Sequence, residues 1–335
     1  MSRITVVGAG SWGTALAIVL QRRGGHSLIL WSHTRAVADC ICQTRENGSY
    51  LPGLHIPESI QVTTELERAV GPAEILILAV PSEYLRGICS AVAPLLSGNH
   101  LIVNAAKGIE DGTGLRMTQV IAEVLAQDHR HLPCGVLSGP SFAQEVAAGS
   151  PTAITIASSD ASIATRVQEE FAGPTLRLYT NDDVTGVELG GALKNVIAIA
   201  AGATYGLGLG HSSVAALVTR GVAEMTRLAV ACGGRRETLA GLAGLGDLVL
   251  TCTGALSRNR HVGMELGRGQ KLSEILTGMR GKVAEGVRTT HAALGLARRM
   301  NVEMPITQQV AAVLSEQISA KDAMRELMSR PGRDE

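Results

Sequence analysis

Short apolar runs alternate with amphipathic stretches through the first half of the chain. The apolar runs predict β-strands at residues 3–7, 27–31, 74–80, 100–105, 134–138, 152–157 and 175–180. The stretches between them have the periodicity of helices, at residues 14–23, 35–46, 83–93, 115–126, 142–148 and 160–171. Continuous apolar strands separated by amphipathic helices are typical of a mainly parallel sheet with helices on both faces.

One of these helices has start and stop signals in the sequence. Ser141 and Gln144 have the spacing of a capping box at the start of the 142–148 helix. Gly149 follows that helix, and glycine is the usual residue just beyond a helix end.

The strand pattern ends near residues 182–188. A long Gly/Ala-rich apolar stretch at 183–206 predicts a buried helix. Helical periodicity then continues at residues 212–232, 239–252, 258–268, 272–279, 289–300, 307–315 and 319–329. We therefore predict an α/β fold with a doubly wound, mainly parallel sheet over residues 1–185, followed by an all-helical domain over residues 186–335.

Composition restricts the partners. The 335 residues suit two domains of ~150 residues. Lys plus Arg and Asp plus Glu number 30 each, so nothing draws the whole protein to nucleic acid or an anionic membrane. The six cysteines show no C-x-x-C spacing and predict buried free thiols of a reducing compartment.

No targeting, membrane or metal-binding segment is predicted. The apolar run at the start lacks a cleavage site, and the stretch after Asn195 is too rich in glycine for a membrane span. We therefore expect a cytoplasmic protein. His129 and His131 fit a solvated loop better than a metal site, so no metal is expected.

A glycine-rich turn follows the first predicted strand. Gly8, Gly10 and Gly13 have the spacing G-x-G-x-x-G, between a strand and a helix. In the Rossmann-type fold this turn brings the backbone and the helix N-terminus to the pyrophosphate of a dinucleotide. A turn of this kind without a ligand is the alternative.

The end of the second strand bears on cofactor choice. A carboxylate there favours NAD because it binds the ribose hydroxyls. Here the strand ends in Ser32, His33, Thr34 and Arg35, with no acid. His33 and Arg35 suit a 2′-phosphate, so we expect NADPH and/or NADH; the alternative for His33 is a solvated loop residue.

Two lysines stand in positions that need an explanation. Lys107 follows the 100–105 strand, at the sheet edge where α/β proteins bind ligands. Lys194 lies in a nearly all-apolar helix, and Asp247 is the lone charge in the apolar stretch 240–254. A buried lysine needs a partner, so we expect these two to pair.

The pair is either structural or catalytic. Desolvation and Lys107 would lower the pKa of Lys194 whereas Asp247 would raise it, so the direction stays open.

A polar cluster begins the helix predicted at 258–268. Ser257, Arg258 and Asn259 offer a hydroxyl, a guanidinium and an amide, which suit a phosphate or a carboxylate. A polar loop is the alternative. Further along, the turn before residue 289 carries one acid, Glu285.

Together the motifs resemble those of one family. The stretches GAGSWGTALA, AAKGIE, SGPSFAQEVAAG, ELGGALKNVIAIAAG, AGLGDLVLTC, SRNRHVG, KVAEGVRTT and VEMPIT stand in order over roughly residues 4–330. They resemble the bacterial NAD(P)-dependent glycerol-3-phosphate dehydrogenases. The resemblance implies reversible reduction of dihydroxyacetone phosphate to sn-glycerol 3-phosphate, which supplies glycerophospholipid synthesis.

The resemblance also implies roles for individual residues. Besides the three glycines, the implied cofactor contacts are Ser11, Trp12, His33, Lys107, Ala143, Arg258, Val283 and Glu285. The implied substrate contacts are Lys107, Gly139, Ser141, Lys194, Asp247, Ser257, Arg258 and Asn259. Lys194 would transfer the proton, with Lys107 as a second positive group and Asp247 as its orienting partner or a substrate ligand.

Other interpretations stay open at this point. A two-domain hydroxy-acid dehydrogenase would use a carboxylate clamp in place of a phosphate site. A non-catalytic dinucleotide sensor would not need Lys107, Lys194 and Asp247 together. Trp12 could serve domain packing alone. A homodimer through the Gly/Ala-rich helical domain is a further expectation.

Overall fold

The computed structural model describes residues 2–127, 131–279 and 283–332. The chain divides into two compact units. The first comprises Met1–Lys107 and Leu115–Val187, and the second comprises Gly108–Gly114 and Glu188–Glu335. The sequence did not predict that the short segment Gly108–Gly114 belongs with the helical unit.

The first unit is an α/β structure. Its strands are β1 (Ser2–Val7), β2 (His26–Trp31), β3 (Glu46–Asn47), β4 (Leu51–His55), β5 (Gln61–Thr63), β6 (Ile75–Leu78), β7 (Leu101–Asn104), β8 (Cys134–Ser138), β9 (Thr152–Ala157) and β10 (Leu176–Asn181). Its helices are α1 (Ser11–Arg23), α2 (Arg35–Thr44), α3 (Leu66–Val70), α4 (Leu85–Val92), α5 (Met117–Gln127), α6 (Ala143–Ala148) and α7 (Ala161–Phe171).

Eight of these strands form one sheet, in the order β10-β9-β8-β7-β6-β1-β2-β5. All its pairings are parallel except that of β8 with β9, which is antiparallel. Strand β1 lies between β2 and β6, so the order of strands reverses at β1. In open α/β sheets the crevice at such a reversal, at the carboxyl ends of the strands, binds ligands.

Apolar side chains fill both faces of the sheet. Val6 and Ile77 pack in a cluster with residues of α1, α6 and α7. Val7 and Leu78, the next residues along the same strands, pack in a second cluster with α4 and α5. Because side chains alternate along a strand, two continuous apolar faces result, which explains the uninterrupted apolar runs in the sequence.

The stretch between residues 46 and 70 differs from the prediction. The sequence analysis placed no strand there, whereas the structure has the antiparallel pair β3–β4, the edge strand β5 and helix α3. These elements are two to five residues long and carry many exposed polar side chains, so they give no recognisable period.

The predicted capping box is wrong. Phe142 is the N-cap of α6, without a side-chain cap bond, and the Ser141 hydroxyl donates to the carbonyl of Gly139 at 3.0 Å. The stop signal is confirmed, because Gly149 ends α6 in the left-handed region with φ at 92°.

The second unit is helical, as predicted. Its helices are α8 (Val184–Gly206), α9 (His211–Ala231), α10 (Arg236–Ala240), α11 (Asp247–Thr253), α12 (Arg258–Gly267), α13 (Leu272–Gly278), α14 (Glu285–Arg299), α15 (Pro305–Leu314) and α16 (Ala320–Met328). The helix predicted at 239–252 is interrupted, because a π-helical turn, Leu242–Gly246, separates α10 from α11. Helix α14 begins four residues earlier than predicted.

Helix α8 lies at the centre of the second unit. It is long and apolar enough to cross a membrane, but 83% of its most apolar window is buried within the structure. Its glycines allow close packing: a Cβ at Gly202 would overlap the carbonyl oxygen of Arg260 on α12. A Cβ at Gly263 of α12 would likewise overlap the carbonyl oxygen of Ile199. The two backbones are therefore in direct contact, which fixes the register of α12 against α8.

All six cysteines are free thiols. Only Cys89 and Cys252 are buried, however, and Cys42 is exposed, so the expectation that all of them are buried is wrong.

Candidate active site

The glycine-rich turn connects β1 to α1 at the reversal of strand order. Gly8 has φ at 119°, and a Cβ there would lie 2.6 Å from the carbonyl oxygen of Ala79. A Cβ at Gly13 would overlap the carbonyl oxygen of Gly8. A Cβ at Gly10, by contrast, would meet no atom of the described residues within 4 Å. Packing therefore explains Gly8 and Gly13, whereas Gly10 leaves room for a ligand beside the N-terminus of α1. These residues fit the pyrophosphate of a dinucleotide.

The two residues between Gly10 and Gly13 have different surroundings. The hydroxyl of Ser11 donates to the carbonyl of Tyr50 at 2.6 Å. The ring of Trp12 packs against the core of the first unit, and its indole N–H is buried without a hydrogen-bond partner among the described residues. Both contacts are with the protein itself, and the cofactor contacts predicted for Ser11 and Trp12 stay predictions.

The end of β2 offers basic side chains and no acid. His33 and Arg35 are exposed, with Arg35 as the first residue of α2. The Ser32 hydroxyl is buried and donates to the carbonyl of Thr34 at 3.0 Å. Exposed hydrogen-bond donors at this position can bind a 2′-phosphate as well as ribose hydroxyls.

Three of the predicted residues meet at the carboxyl ends of β7 and β8. The ammonium of Lys107 and the hydroxyl of Ser141 both donate to the carbonyl of Gly139, at 3.3 and 3.0 Å. Gly139 has φ at 139°, and a Cβ there would lie 2.9 Å from the Cα of Ile154. Ala143 begins α6 nearby in the chain and is partly buried against the core.

The predicted partnership of Lys194 and Asp247 is confirmed. Nζ of Lys194 donates to Oδ1 of Asp247 at 2.5 Å and to the hydroxyl of Thr251 at 2.8 Å. Lys194 is 7% exposed and Asp247 is 1% exposed. A buried ammonium beside a buried carboxylate is stable only when both are well hydrogen-bonded, as they are here.

Local structure explains how Asp247 reaches Lys194. Asp247 begins α11 directly after the π-helical turn. A Cβ at Gly190 of α8 would lie 2.6 Å from the carbonyl oxygen of Ala243, so α8 lies against this turn. One helical turn after Asp247, the Thr251 hydroxyl donates to the Asp247 carbonyl at 2.6 Å. The sequence analysis missed Thr251, because a threonine in an apolar helix gives no distinctive signal.

Burial disfavours a nucleophilic role for the neighbouring thiol of Cys252. Burial raises the pKa of the Cys252 thiol to about 12, although Lys194 acts in the opposite direction. A thiol with this pKa is protonated near neutral pH, and only the thiolate is a good nucleophile.

The polar cluster at 257–259 divides into different roles. The Ser257 hydroxyl caps α12 by accepting from the N–H of Arg260 at 3.2 Å, and Arg258 is exposed at the first position of the helix. Asn259 is buried. Its amide donates to Oδ1 of Asn195 at 2.9 Å and accepts from the N–H of Gly286 at 3.0 Å. Its side chain thus joins α8, α12 and α14.

The last predicted contacts precede or begin α14. Val283 is partly buried, and Glu285 is the first residue of the helix. Gly281 and Lys282 of the same motif lie outside the described residues, as does His129. Among residues 2–127, 131–279 and 283–332, no group of three or more metal-ligating side chains could hold an ion.

Known proteins match both halves of the chain. The family described as NAD-dependent glycerol-3-phosphate dehydrogenase matches with its N-terminus over residues 3–164 and with its C-terminus over residues 183–325. The glycerol-3-phosphate dehydrogenase (NAD(P)+) of Acidobacterium capsulatum is 62% identical over 338 residues, covering 100% of both chains. That of Koribacter versatilis is 60% identical over 336 residues, covering 100% of this chain and 99% of its own. The crystal structure of glycerol-3-phosphate dehydrogenase from Coxiella burnetii has a TM-score of 0.93 at 40% identity, covering 98% of this chain and 99% of that one.

Proposed function

Because the chain belongs to the NAD-dependent glycerol-3-phosphate dehydrogenase family, we propose that it catalyses the reversible reduction of dihydroxyacetone phosphate to sn-glycerol 3-phosphate. The observation that carries this proposal is the buried Lys194–Asp247 pair with its threonine ligand. The product would supply glycerophospholipid synthesis.

The nicotinamide cofactor, when bound, supplies or accepts the hydride. Gly10 leaves room for the pyrophosphate beside the first N–H groups of α1, and Ser11, Trp12, Ala143, Val283 and Glu285 would complete the contacts. His33 would bind the 2′-phosphate of NADPH, and the absence of an acid at the end of β2 supports use of both NADPH and NADH.

Lys194 would transfer the proton. Reduction places negative charge on the oxygen of the substrate carbonyl, and an ammonium close to that oxygen can donate to it. Asp247 and Thr251 hold the Lys194 amine, and Lys107 would add a second positive group that stabilises the developing charge. In the reverse direction Lys194 would act as the base.

The start of α12 would anchor the substrate phosphate. Arg258 is exposed there, and the capped helix start places backbone N–H groups beside it. Because the Asn259 side chain bonds to Asn195 and Gly286, we infer that Asn259 contacts the phosphate through its backbone N–H. Gly139 and Ser141 would line the substrate, with Ser257 completing the anchor. Such an anchor fixes the reacting carbon through binding energy remote from it.

An absorbance assay tests the function directly. We expect the reduced nicotinamide to be consumed when dihydroxyacetone phosphate is added, in separate reactions with NADPH and NADH. No consumption with either cofactor would refute the proposal. A hydroxy-acid dehydrogenase would instead act on 2-keto acids, and a dinucleotide sensor would bind cofactor without turnover.

A lysine variant tests the catalytic role. We expect Lys194→Met to lower kcat by about a thousandfold or more, since general acid catalysis contributes about a hundred- to ten-thousandfold. Its cofactor dissociation constant should stay near that of the wild type. The exposed Lys271→Ala is the matched control, and the melting temperature shows whether the buried Asp247 destabilises the variant. A kcat near that of the wild type in folded Lys194→Met would contradict the role.

We also infer a cytoplasmic homodimer that binds neither nucleic acid nor membrane. The exposed apolar side chains Leu245, Val249 and Leu256 support an interface on the second unit. Sedimentation equilibrium tests this, with a dimeric mass as the expected result and a monomeric mass as the contradicting one.

A further inference from the structure

The antiparallel pair β3–β4, which we call the 46–55 hairpin, lies outside the main sheet. Its strands are short, but it carries a buried polar side chain, Asn47, which is 1% exposed. A buried amide is costly unless all its hydrogen-bonding groups find partners. The partners of Asn47 show what the hairpin does.

The amide of Asn47 ties the glycine-rich turn to the first turn of α1. Its Nδ2 donates to the carbonyl of Ala9 at 2.9 Å and to the hydroxyl of Thr14 at 2.8 Å. Its Oδ1 accepts from the N–H of Tyr50 at 3.2 Å. Since the Ala9 carbonyl can only accept and the Tyr50 N–H can only donate, the orientation of the amide is determined.

Holding the Ala9 carbonyl also sets the direction of the next N–H. In a planar trans peptide the C=O and the N–H point in opposite directions. The Gly10 N–H therefore points away from Asn47. A Cβ added at Gly10 would meet no atom of the described residues within 4 Å. The Gly10 N–H makes no backbone hydrogen bond within the described part of the chain. Asn47 thus holds this N–H on the side of the peptide that faces away from its own amide.

The hairpin itself is well anchored. The carbonyl of Tyr50 accepts from the Ser11 hydroxyl at 2.6 Å, a second bond to the start of α1. Within the hairpin, the carboxylate of Glu46 accepts from the N–H of Gly53 at 2.7 Å. Arg45, just before it, donates to the carbonyls of Ile56 and Ile60 at 3.1 and 3.0 Å. A firmly held hairpin can pre-order the turn before a ligand arrives.

We propose that Asn47 is a positioning residue for the dinucleotide: it holds the Gly8–Gly13 turn in the conformation that presents the Gly10 N–H to the pyrophosphate. This rests on the cofactor-binding part of the proposed function. The role requires two donors and one acceptor on one short side chain, which asparagine has and aspartate and alanine lack. Without Asn47 the turn must be ordered at the moment of binding, which weakens affinity.

Direct binding measurements test the proposal. NADPH is titrated into the full-length protein and its fluorescence gives the dissociation constant. We expect Asn47→Ala and Asn47→Asp to raise that constant about tenfold, while kcat with both substrates saturating stays within about twofold. The matched control is His100→Ala, in the same unit. His100 is buried and hydrogen-bonds to the carbonyl of Val70 at 3.0 Å, away from the turn. It should lower the melting temperature and leave the NADPH constant unchanged.

A purely structural role gives a different result. An NADPH dissociation constant within about twofold of the wild type, in a folded Asn47 variant, would overturn the proposal. If both variants fail to fold, hydrogen exchange of the wild type decides: peptides that cover residues 46–55 must already be protected without NADPH, and fast exchange there that slows only when NADPH is added overturns it. A wild type that binds NADPH without reducing dihydroxyacetone phosphate contradicts the proposed function alone; one that does not bind NADPH contradicts both.

Discussion

Replacing Thr251 by valine tests how the lysine is held. Valine keeps the shape of threonine but removes the hydroxyl, which accepts from Nζ of Lys194 at 2.8 Å and donates to the Asp247 carbonyl at 2.6 Å. Thr251 is buried, so water cannot easily replace the lost acceptor. The ammonium then keeps Asp247 but loses one of the groups that fix its position.

The expected size of the effect follows from that one bond. A hydrogen bond to a charged group contributes about 1.5–3 kcal/mol, and each ~1.4 kcal/mol on the barrier is a factor of ten in rate. We therefore expect kcat to fall about ten- to a hundredfold in Thr251→Val. The KM for the cofactor should change by less than about twofold, because Thr251 lies outside the predicted cofactor contacts.

Steady-state kinetics with saturating dihydroxyacetone phosphate and varied NADPH measures both constants, and Thr251→Ser should restore most of the rate. Thr253→Val in the same helix is the matched control. The Thr253 hydroxyl also donates to the carbonyl four residues earlier, at 2.8 Å, but it is exposed. A kcat within about twofold of the wild type in Thr251→Val, or an equal loss in Thr253→Val, would refute the reasoning.

Three other predictions concern packing, a buried carboxylate and the thiols. Gly263→Ala should force α12 away from α8, lowering stability by about 1–3 kcal/mol and kcat with it, as thermal unfolding and kinetics can show; unchanged stability would contradict the packing. Glu224→Gln should lower the melting temperature by several degrees and leave kcat unchanged. The Glu224 carboxylate accepts three hydrogen bonds at the start of α15, and an amide cannot accept all three. A lowered kcat at permissive temperature would argue against a structural role. Burial raises the pKa of the Cys89 and Cys252 thiols to about 12. A disulfide reagent near neutral pH should therefore modify the exposed Cys42 first and the two buried thiols only after denaturation. Mass spectrometry of the labelled peptides gives the order of labelling, and the opposite order would contradict the reasoning.

Much of the fold was predictable because burial on both sides of a sheet or helix leaves a continuous apolar signal. The Lys194–Asp247 pair was predictable for the same reason. Asp247 is the single charge of its apolar stretch, Lys194 shares a nearly all-apolar helix with one other charge, Glu188, and a buried charge needs an opposite one. Sequence alone could not show that Thr251 is the third member, because threonine occurs in helices without a special role.

The 46–55 hairpin was missed for the opposite reason. It is held by polar bonds such as those of Asn47 rather than by an apolar face, and such bonds join residues far apart in the chain. Hydrogen bonds between residues far apart in the chain do not change the local pattern of apolar and polar residues. Asn259 was recognised as a polar residue at a helix start, but its partners, Asn195 and Gly286, could be found only in the folded chain.

The segment Gly108–Gly114 has a consequence for how the protein can be divided. Ile109 belongs to the apolar core of the helical unit, and Arg299 donates to the carbonyl of Thr113 at 2.6 Å. A fragment that begins at Glu188 would therefore lack a piece of its own interior and expose the space that Ile109 fills. No single cut separates the chain into two self-sufficient parts. A chimera that takes its helical half from a relative must take these seven residues from the same relative. Otherwise the apolar core of the helical unit is built from the residues of two different proteins.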